Sequence, residues 1–225
     1  IMSIQFQDRT ANNLLVLTII LMSANLYTIF FVAPMVPEQT WAQKIFYIHV
    51  PIAWTGFLSY FIVMVAGILF LLKKDPFWDR LGLAAAEIGT LFIVLVLITG
   101  PIWATPIWGR PWVWEPRLTT TLILFLIYVG YFMLRKFGGH PERVARYAAV
   151  LGIMAFIDVP LIFYSVKFWA PQFQLHPQVE MGQQPDGIFY PFLFSMITFT
   201  ILNILMLRIR VRILNFHHQI ITNNV

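Results

Sequence analysis

Along its 225 residues the chain alternates long apolar runs with short connections dense in Pro, Gly and charge. Six runs reach the length of about 20 residues that a helix needs to cross a bilayer core. They cover roughly 13–33, 49–72, 82–102, 118–136, 147–168 and 188–208. The connections carry turn residues: Val36-Pro37-Glu38-Gln39, Lys73-Lys74-Asp75-Pro76, a tryptophan-rich stretch around residues 103–117, Gly138-Gly139-His140-Pro141 and Gln183-Gln184-Pro185-Asp186-Gly187. The pattern predicts an all-α, polytopic membrane protein. It is read as one membrane domain, 1–225, a six-transmembrane-helix bundle with a tryptophan-rich interfacial loop between the third and fourth spans. Ile1 to Thr10 are polar, and no small-residue cleavage site follows the first apolar run, which reads as an uncleaved helix rather than a signal peptide.

Composition agrees, with 59% hydrophobic and 11% charged residues, which excludes an ordinary soluble domain. The formal charge of +5 does not point to nucleic acid, because basic residues of membrane proteins collect in cytoplasmic loops and set orientation. Taking the spans alternately, one side receives Arg9, Lys73, Lys74, Arg80, Arg135, Lys136, Arg143, Arg146, Arg208, Arg210 and Arg212; the other receives only Lys44, Arg110, Arg117 and Lys167. This asymmetry predicts that both termini are cytoplasmic and that the tryptophan stretch lies outside. With no cysteine, the chain can form neither a disulfide nor the C-x-x-C-H thioether attachment of haem. Any haem would be held without thioether bonds.

The tryptophan stretch reads Trp108-Gly109-Arg110-Pro111-Trp112-Val113-Trp114-Glu115-Pro116-Arg117-Leu118-Thr119, with Trp103 upstream, so one connection holds four of the eight tryptophans. Pro106, Pro111 and Pro116 argue against a continuous helix through it, since each interior Pro removes a helix hydrogen bond. The expectation is a folded loop presenting a flat apolar surface, followed by a helix starting near Leu118. The topology puts His49 and His176 on the same face. Imidazole is the usual neutral axial donor to haem iron, and nearby cations suit its propionates. Interfacial His and Trp are also ordinary belt residues, so composition and topology leave a haem site and a plain aromatic belt both open. His140, His217 and His218 read as solvated surface residues, the last two in a polar tail beyond the final span.

Two carboxylates fall within spans, where an ionisable group is costly and hence a functional candidate. Glu87 lies about a turn inside its helix and is expected to snorkel to the cytoplasmic interface. Asp158 is deeper and precedes Pro160, which bends the helix; a protonated, hydrogen-bonded role in the bundle is expected over transport. Ile48-His49-Val50-Pro51-Ile52 and Ile157-Asp158-Val159-Pro160-Leu161 look alike for five residues, but their flanks diverge and no internal repeat is read. There is no Walker lysine, G-x-S-x-G or H-E-x-x-H, so no enzymatic or nucleotide site is assigned.

The stretch from Trp108 to Thr119 resembles the signature W-G-x-W-W-x-W-D-x-R-L-T of the CcmC family of cytochrome c maturation, part of the tryptophan-rich "WWD" haem-handling proteins. Tyr47-Ile48-His49-Val50-Pro51-Ile52-Ala53-Trp54 is similar to that family's Y-I-H-V-P-x-A-W. Tyr164-Ser165-Val166-Lys167-Phe168-Trp169 with Leu175-His176 is more loosely similar to the segment carrying its second histidine. Pro111 and Glu115 depart from the signature's Trp and Asp, and Pro171 to Gln174 are extra residues before His176. The resemblance implies haem b bound non-covalently at the outer, periplasmic face of the inner membrane and passed to a haem chaperone (CcmE-type). It implies His49 and His176 as axial ligands to the iron, Trp108, Trp112 and Trp114 as a platform, Arg110 or Arg117 on the propionates, and Glu115 in place of the signature carboxylate. The partners it implies are an ABC ATPase and membrane subunits (CcmA-, CcmB- and CcmD-type), besides membrane lipid. The competing readings are a haem b electron-transfer protein, which usually carries histidine pairs at mid-depth, and a small-molecule transporter working through Asp158 and Glu87.

Overall fold

The computed structural model describes residues 9–35, 39–168 and 186–223. The regular structure among them is all helical: α1 (Arg9–Tyr27), α2 (Phe46–Lys73), α3 (Pro76–Trp108), α4 (Pro116–Phe137), α5 (Pro141–Ala155), α6 (Asp158–Phe168) and α7 (Asp186–Asn223). A π-helical turn, Thr28–Val32, continues α1, and a 3-10 segment, Thr40–Ile45, leads into α2. Six stretches are long and apolar enough to cross a membrane, α5 and α6 together making one of them. Helices are the form expected there, because hydrocarbon offers no partner for an open backbone N–H or C=O.

Local chemistry sets several boundaries. Lys74 takes a left-handed conformation (φ 56°) that ends α2, and the Asp75 side chain accepts from the Phe77 amide at 2.8 Å to cap α3, with Pro76 in the first helical position. Gly109 (φ 71°) ends α3, a backbone that costs least without a Cβ. Pro116 opens α4 after an extended Glu115, and Pro141 opens α5.

Three departures from the sequence pattern concern helix length. The third span continues through Pro101 and Pro106 to Trp108, so Trp103 and Trp108 are helical and only residues 109–115 form the connection. Each Pro removes one hydrogen bond, to the Leu97 and Ile102 carbonyls, yet the helix continues through both, as prolyl helices do in membranes. The fifth span is broken at Phe156–Ile157, four residues before Pro160, where the ring cannot return a hydrogen bond to the Phe156 carbonyl; the Val159 amide takes it instead at 3.1 Å. Finally, α7 runs on to Asn223. His217 and His218 sit on this helix rather than in an irregular tail.

The core is built on α2, which packs along α3 and also meets α5 and α7; α1 lies on α7, and α4 on α5 and α6. Tyr60 and Tyr128 stack at 3.8 Å between ring centroids, and a Cβ at Gly89 would stand 2.8 Å from the Tyr60 ring, so the close approach of α2 and α3 needs glycine there. Several polar groups in the bundle interior are paired between helices. Asn203 Nδ2 donates to Ser59 Oγ and to the Thr55 carbonyl, both at 3.0 Å, and Ser195 Oγ donates to Asn25 Oδ1 at 2.8 Å. Glu87 accepts from Arg210 Nε at 2.5 Å and Nη2 at 2.7 Å. It is thus one half of a bidentate ion pair joining α3 to α7, not a lone side chain reaching for the interface. Asp79 pairs with Arg135, and Arg80 Nε donates to Asn215 Oδ1 at 2.6 Å, so the end of α3 remote from the tryptophans is fastened to α4 and α7 by charge. Asp158 begins α6, and its Oδ2 is buried without a hydrogen-bond partner among the described residues, which removes the bonded role expected for that oxygen.

Candidate functional site

His49 stands in the first turn of α2 and is 8% exposed. One face of α3 surrounds its ring. Nδ1 lies 2.8 Å from Thr99 Oγ1, the ring of Trp103 meets it edge to face at 5.7 Å between centroids, and a Cβ on Gly100 would come within 3.4 Å of Cε1. Thr99 and Trp103 are four residues apart, hence stacked on one helix face. Phe46, one turn before His49 in α2, stacks on Phe192 of α7 at 5.1 Å and tilts toward Trp103 at 6.1 Å. The aromatic packing holds the histidine in a defined place against α3.

Beside His49 opens a cavity of about 330 Å³, walled mostly by apolar side chains of α2, α3, α4 and α6. That volume lies in the range of small-molecule sites. Trp103, Trp108, Trp112 and Arg117 line it together with His49. Trp103 Nε1, Trp112 Nε1 and Arg117 Nε are buried donors with no hydrogen-bond partner among the described residues. A buried N–H left without an acceptor costs on the order of 1–3 kcal/mol, so three on one cavity wall leave it ready for a ligand that brings acceptors. The arrangement suits a flat apolar molecule with acidic groups at one edge: aromatic walls for its body, a cation and indole N–H groups for its acids, and an imidazole for a metal at its centre.

Not every residue singled out in the sequence joins this cavity. Trp114 is 75% exposed and meets Trp112 edge to face at 5.6 Å and 77°, so the loop tryptophans form a corner rather than the coplanar platform expected. Arg110 is exposed in the same connection and does not line the cavity. Glu115 is 3% exposed at the start of α4, where its carbonyl accepts from the Thr119 amide at 3.0 Å; it is not in the cavity wall. His176 lies outside the described residues. Sequence reasoning gave no role to Thr99, Gly100 or Phe46, and noted Trp103 only as a neighbour. The available signal was the helical spacing of Thr99 and Trp103, which a loop assignment beyond residue 102 concealed.

The family model described as "Heme exporter protein C", CcmC, matches residues 2–225. The chain belongs to the CcmC family. A Heme exporter protein C of Bradyrhizobium diazoefficiens is 37% identical over 187 residues, which are 82% of this chain and 71% of the relative. One of Escherichia coli (strain K12) is 30% identical over 180 residues, 80% of this chain and 73% of the relative. A mitochondrial protein of Marchantia polymorpha, named ccmC-like for cytochrome c biosynthesis, is 38% identical over 144 residues, 64% of this chain and 60% of its own length. In this CcmC-family chain the two best-matched motifs, around His49 and from Trp108 to Thr119, come together through α2, α3 and the start of α4. His49 and Trp54 of the first motif and Trp108, Trp112 and Arg117 of the second are among the residues that line the cavity.

Proposed function

We propose that this CcmC-family chain binds haem b non-covalently at the outer face of the inner membrane and delivers it to a haem chaperone during the assembly of c-type cytochromes. The observation that carries the reading is the convergence of His49, four tryptophans (Trp54, Trp103, Trp108 and Trp112) and Arg117 on one apolar cavity whose wall holds N–H donors unpaired among the described residues. In this reading His49 is one axial ligand to the cargo's iron. His176 is the second, an assignment resting on the resemblance alone. Trp103, Trp108 and Trp112 shield the porphyrin from lipid and water, and Arg117 takes a propionate as a charge-assisted hydrogen bond. Trp114 and Arg110, exposed beyond the cavity wall, meet the chaperone, while Glu115 holds the base of the loop at the start of α4. The whole chain, 1–225, acts as one membrane unit with both termini cytoplasmic. It performs no bond-making chemistry; ATP-driven work belongs to an ABC ATPase and membrane subunits of the CcmA, CcmB and CcmD types.

The deciding experiment is the absorption spectrum of the full chain purified in detergent and loaded with haem. Wild type should show a Soret band of bound haem, and His49→Ala should lose most of it while inserting normally. Wild-type occupancy with an unchanged ligand spectrum in His49→Ala would remove the assignment.

A further inference from the structure

A ring nitrogen can bind iron only through its lone pair, so the proton on a neutral His49 must be on the other nitrogen. Thr99 decides which one that is. Its hydroxyl has a single proton, and that proton goes to the Leu95 carbonyl at 2.8 Å, the ordinary back-bond of a helical threonine. The oxygen still has lone pairs, and His49 Nδ1 lies 2.8 Å from it. With the hydroxyl proton committed, the oxygen is the acceptor and Nδ1–H the donor; the assignment follows from the network of partners. The lone pair is then on Nε2. Other threonines of the bundle, such as Thr105 and Thr120, make the same back-bond. Only for Thr99 do the described contacts join that back-bond to a histidine.

We propose that Thr99 is a positioning residue for His49: it fixes the Nδ1–H tautomer and the ring orientation, and so presents Nε2 to the haem iron. The proposal rests on the haem-binding reading above. It makes α3, rather than the signature loop, the element that prepares the ligand. The holder has a further side in Gly100, where even a methyl group would come into contact with Cε1, the ring atom next to Nε2. Partners of this kind, which hold the second nitrogen of a ligating histidine, change metal affinity by roughly ten- to a hundredfold when removed.

The test compares haem affinity and Soret position for the full chain carrying Thr99→Val, Thr99→Ser or His49→Ala. Thr99→Val keeps the branched shape and removes the acceptor; Thr99→Ser keeps the acceptor. The expected result is a loss of affinity of roughly ten- to a hundredfold with a shifted Soret band for Thr99→Val, near wild-type behaviour for Thr99→Ser, and loss of most bound haem for His49→Ala. Equal damage from Val and Ser means a packing role and overturns the proposal. A silent Thr99→Val beside a damaging His49→Ala also overturns it while the ligand reading stands. A His49→Ala that binds like wild type overturns the ligand reading itself. A second measurement uses the unaltered protein: ring-nitrogen chemical shifts of ¹⁵N-histidine-labelled, haem-free chain at neutral pH, with the His49 signal identified by its disappearance in His49→Ala. Protonated Nδ1 with bare Nε2 supports the proposal. The opposite tautomer overturns it, whether or not the valine variant folds.

Discussion

Trp112 and Trp114 are two residues apart in one loop, yet they are placed for different tasks. Trp112 lines the cavity with its indole N–H buried, whereas Trp114 is three-quarters exposed and touches Trp112 only through a ring edge. Belt tryptophans merely rest at the headgroup level and are individually replaceable; a cavity wall and a contact surface are not. Trp112→Ala should therefore weaken haem binding by about tenfold, since an aromatic contact contributes about 1 kcal/mol beyond its apolar area, and Trp112→Phe should recover much of it. Trp114→Ala should leave haem affinity near wild type and slow transfer to the chaperone by about tenfold or more, as the loss of an exposed aromatic anchor does at an interface. Affinities from haem titration and rates from chaperone-loading kinetics separate the two. Equal effects of both alanine variants on both measurements would return the loop to a simple anchor. At this scale the sequence made His49 legible through its motif. It hid Thr99, because a hydroxyl in an apolar run looks the same whether it bonds only its own helix or a histidine on the next.

Helix boundaries obeyed caps more faithfully than they obeyed proline. Asp75-Pro76, Gly109 and His140-Pro141 stop or start helices as their chemistry requires, but Pro101 and Pro106 sit inside α3, which the apolar pattern alone ends several residues too early. Water competes for backbone groups in a soluble loop; lipid does not, so a prolyl helix in hydrocarbon loses one bond and keeps the rest. Pro160 did interrupt its span, in the turn where its missing amide is felt. Packing depends on small residues that periodicity cannot distinguish. Gly152 of α5 faces Val63 of α2, where an added Cβ would stand 2.6 Å from Val63 Cγ1, and a Cβ at Gly67 would stand 3.0 Å from the Ala149 carbonyl oxygen. Close approach of this kind replaces the hydrophobic drive that is missing between helices in lipid. Gly152→Val should force α2 and α5 apart, costing about 1–3 kcal/mol by overpacking, read as a lower Tm in detergent. The neighbouring Met154, 61% exposed, should accept valine with little change.

The molecule as a whole is divided along its long axis. Glu87–Arg210, Asp79–Arg135 and Arg80–Asn215 fasten one end, while His49, the tryptophans and the cavity occupy the other. The division was legible in the sequence as an imbalance of Lys and Arg between alternate connections. Its internal pairing was not, because charge counts say nothing of partners. If the basic end is cytoplasmic, as the positive-inside rule requires, the cavity opens toward the compartment where the proposed chaperone works. Sidedness can be measured cleanly because the chain has no cysteine of its own. Arg110 and Glu142 are both exposed, one in the tryptophan loop and one in the first turn of α5; the Glu142–Arg146 pair is an open contact of 3.6 Å whose loss should cost little. In sealed, right-side-out membranes, Arg110→Cys should react with an impermeant maleimide and Glu142→Cys should not. Both should react once detergent opens the membrane, which separates sidedness from burial. The reverse pattern in sealed membranes would place His49 and the cavity at the cytoplasmic face, and haem held there could not be handed directly to an outer chaperone, whatever the ligand chemistry of the site.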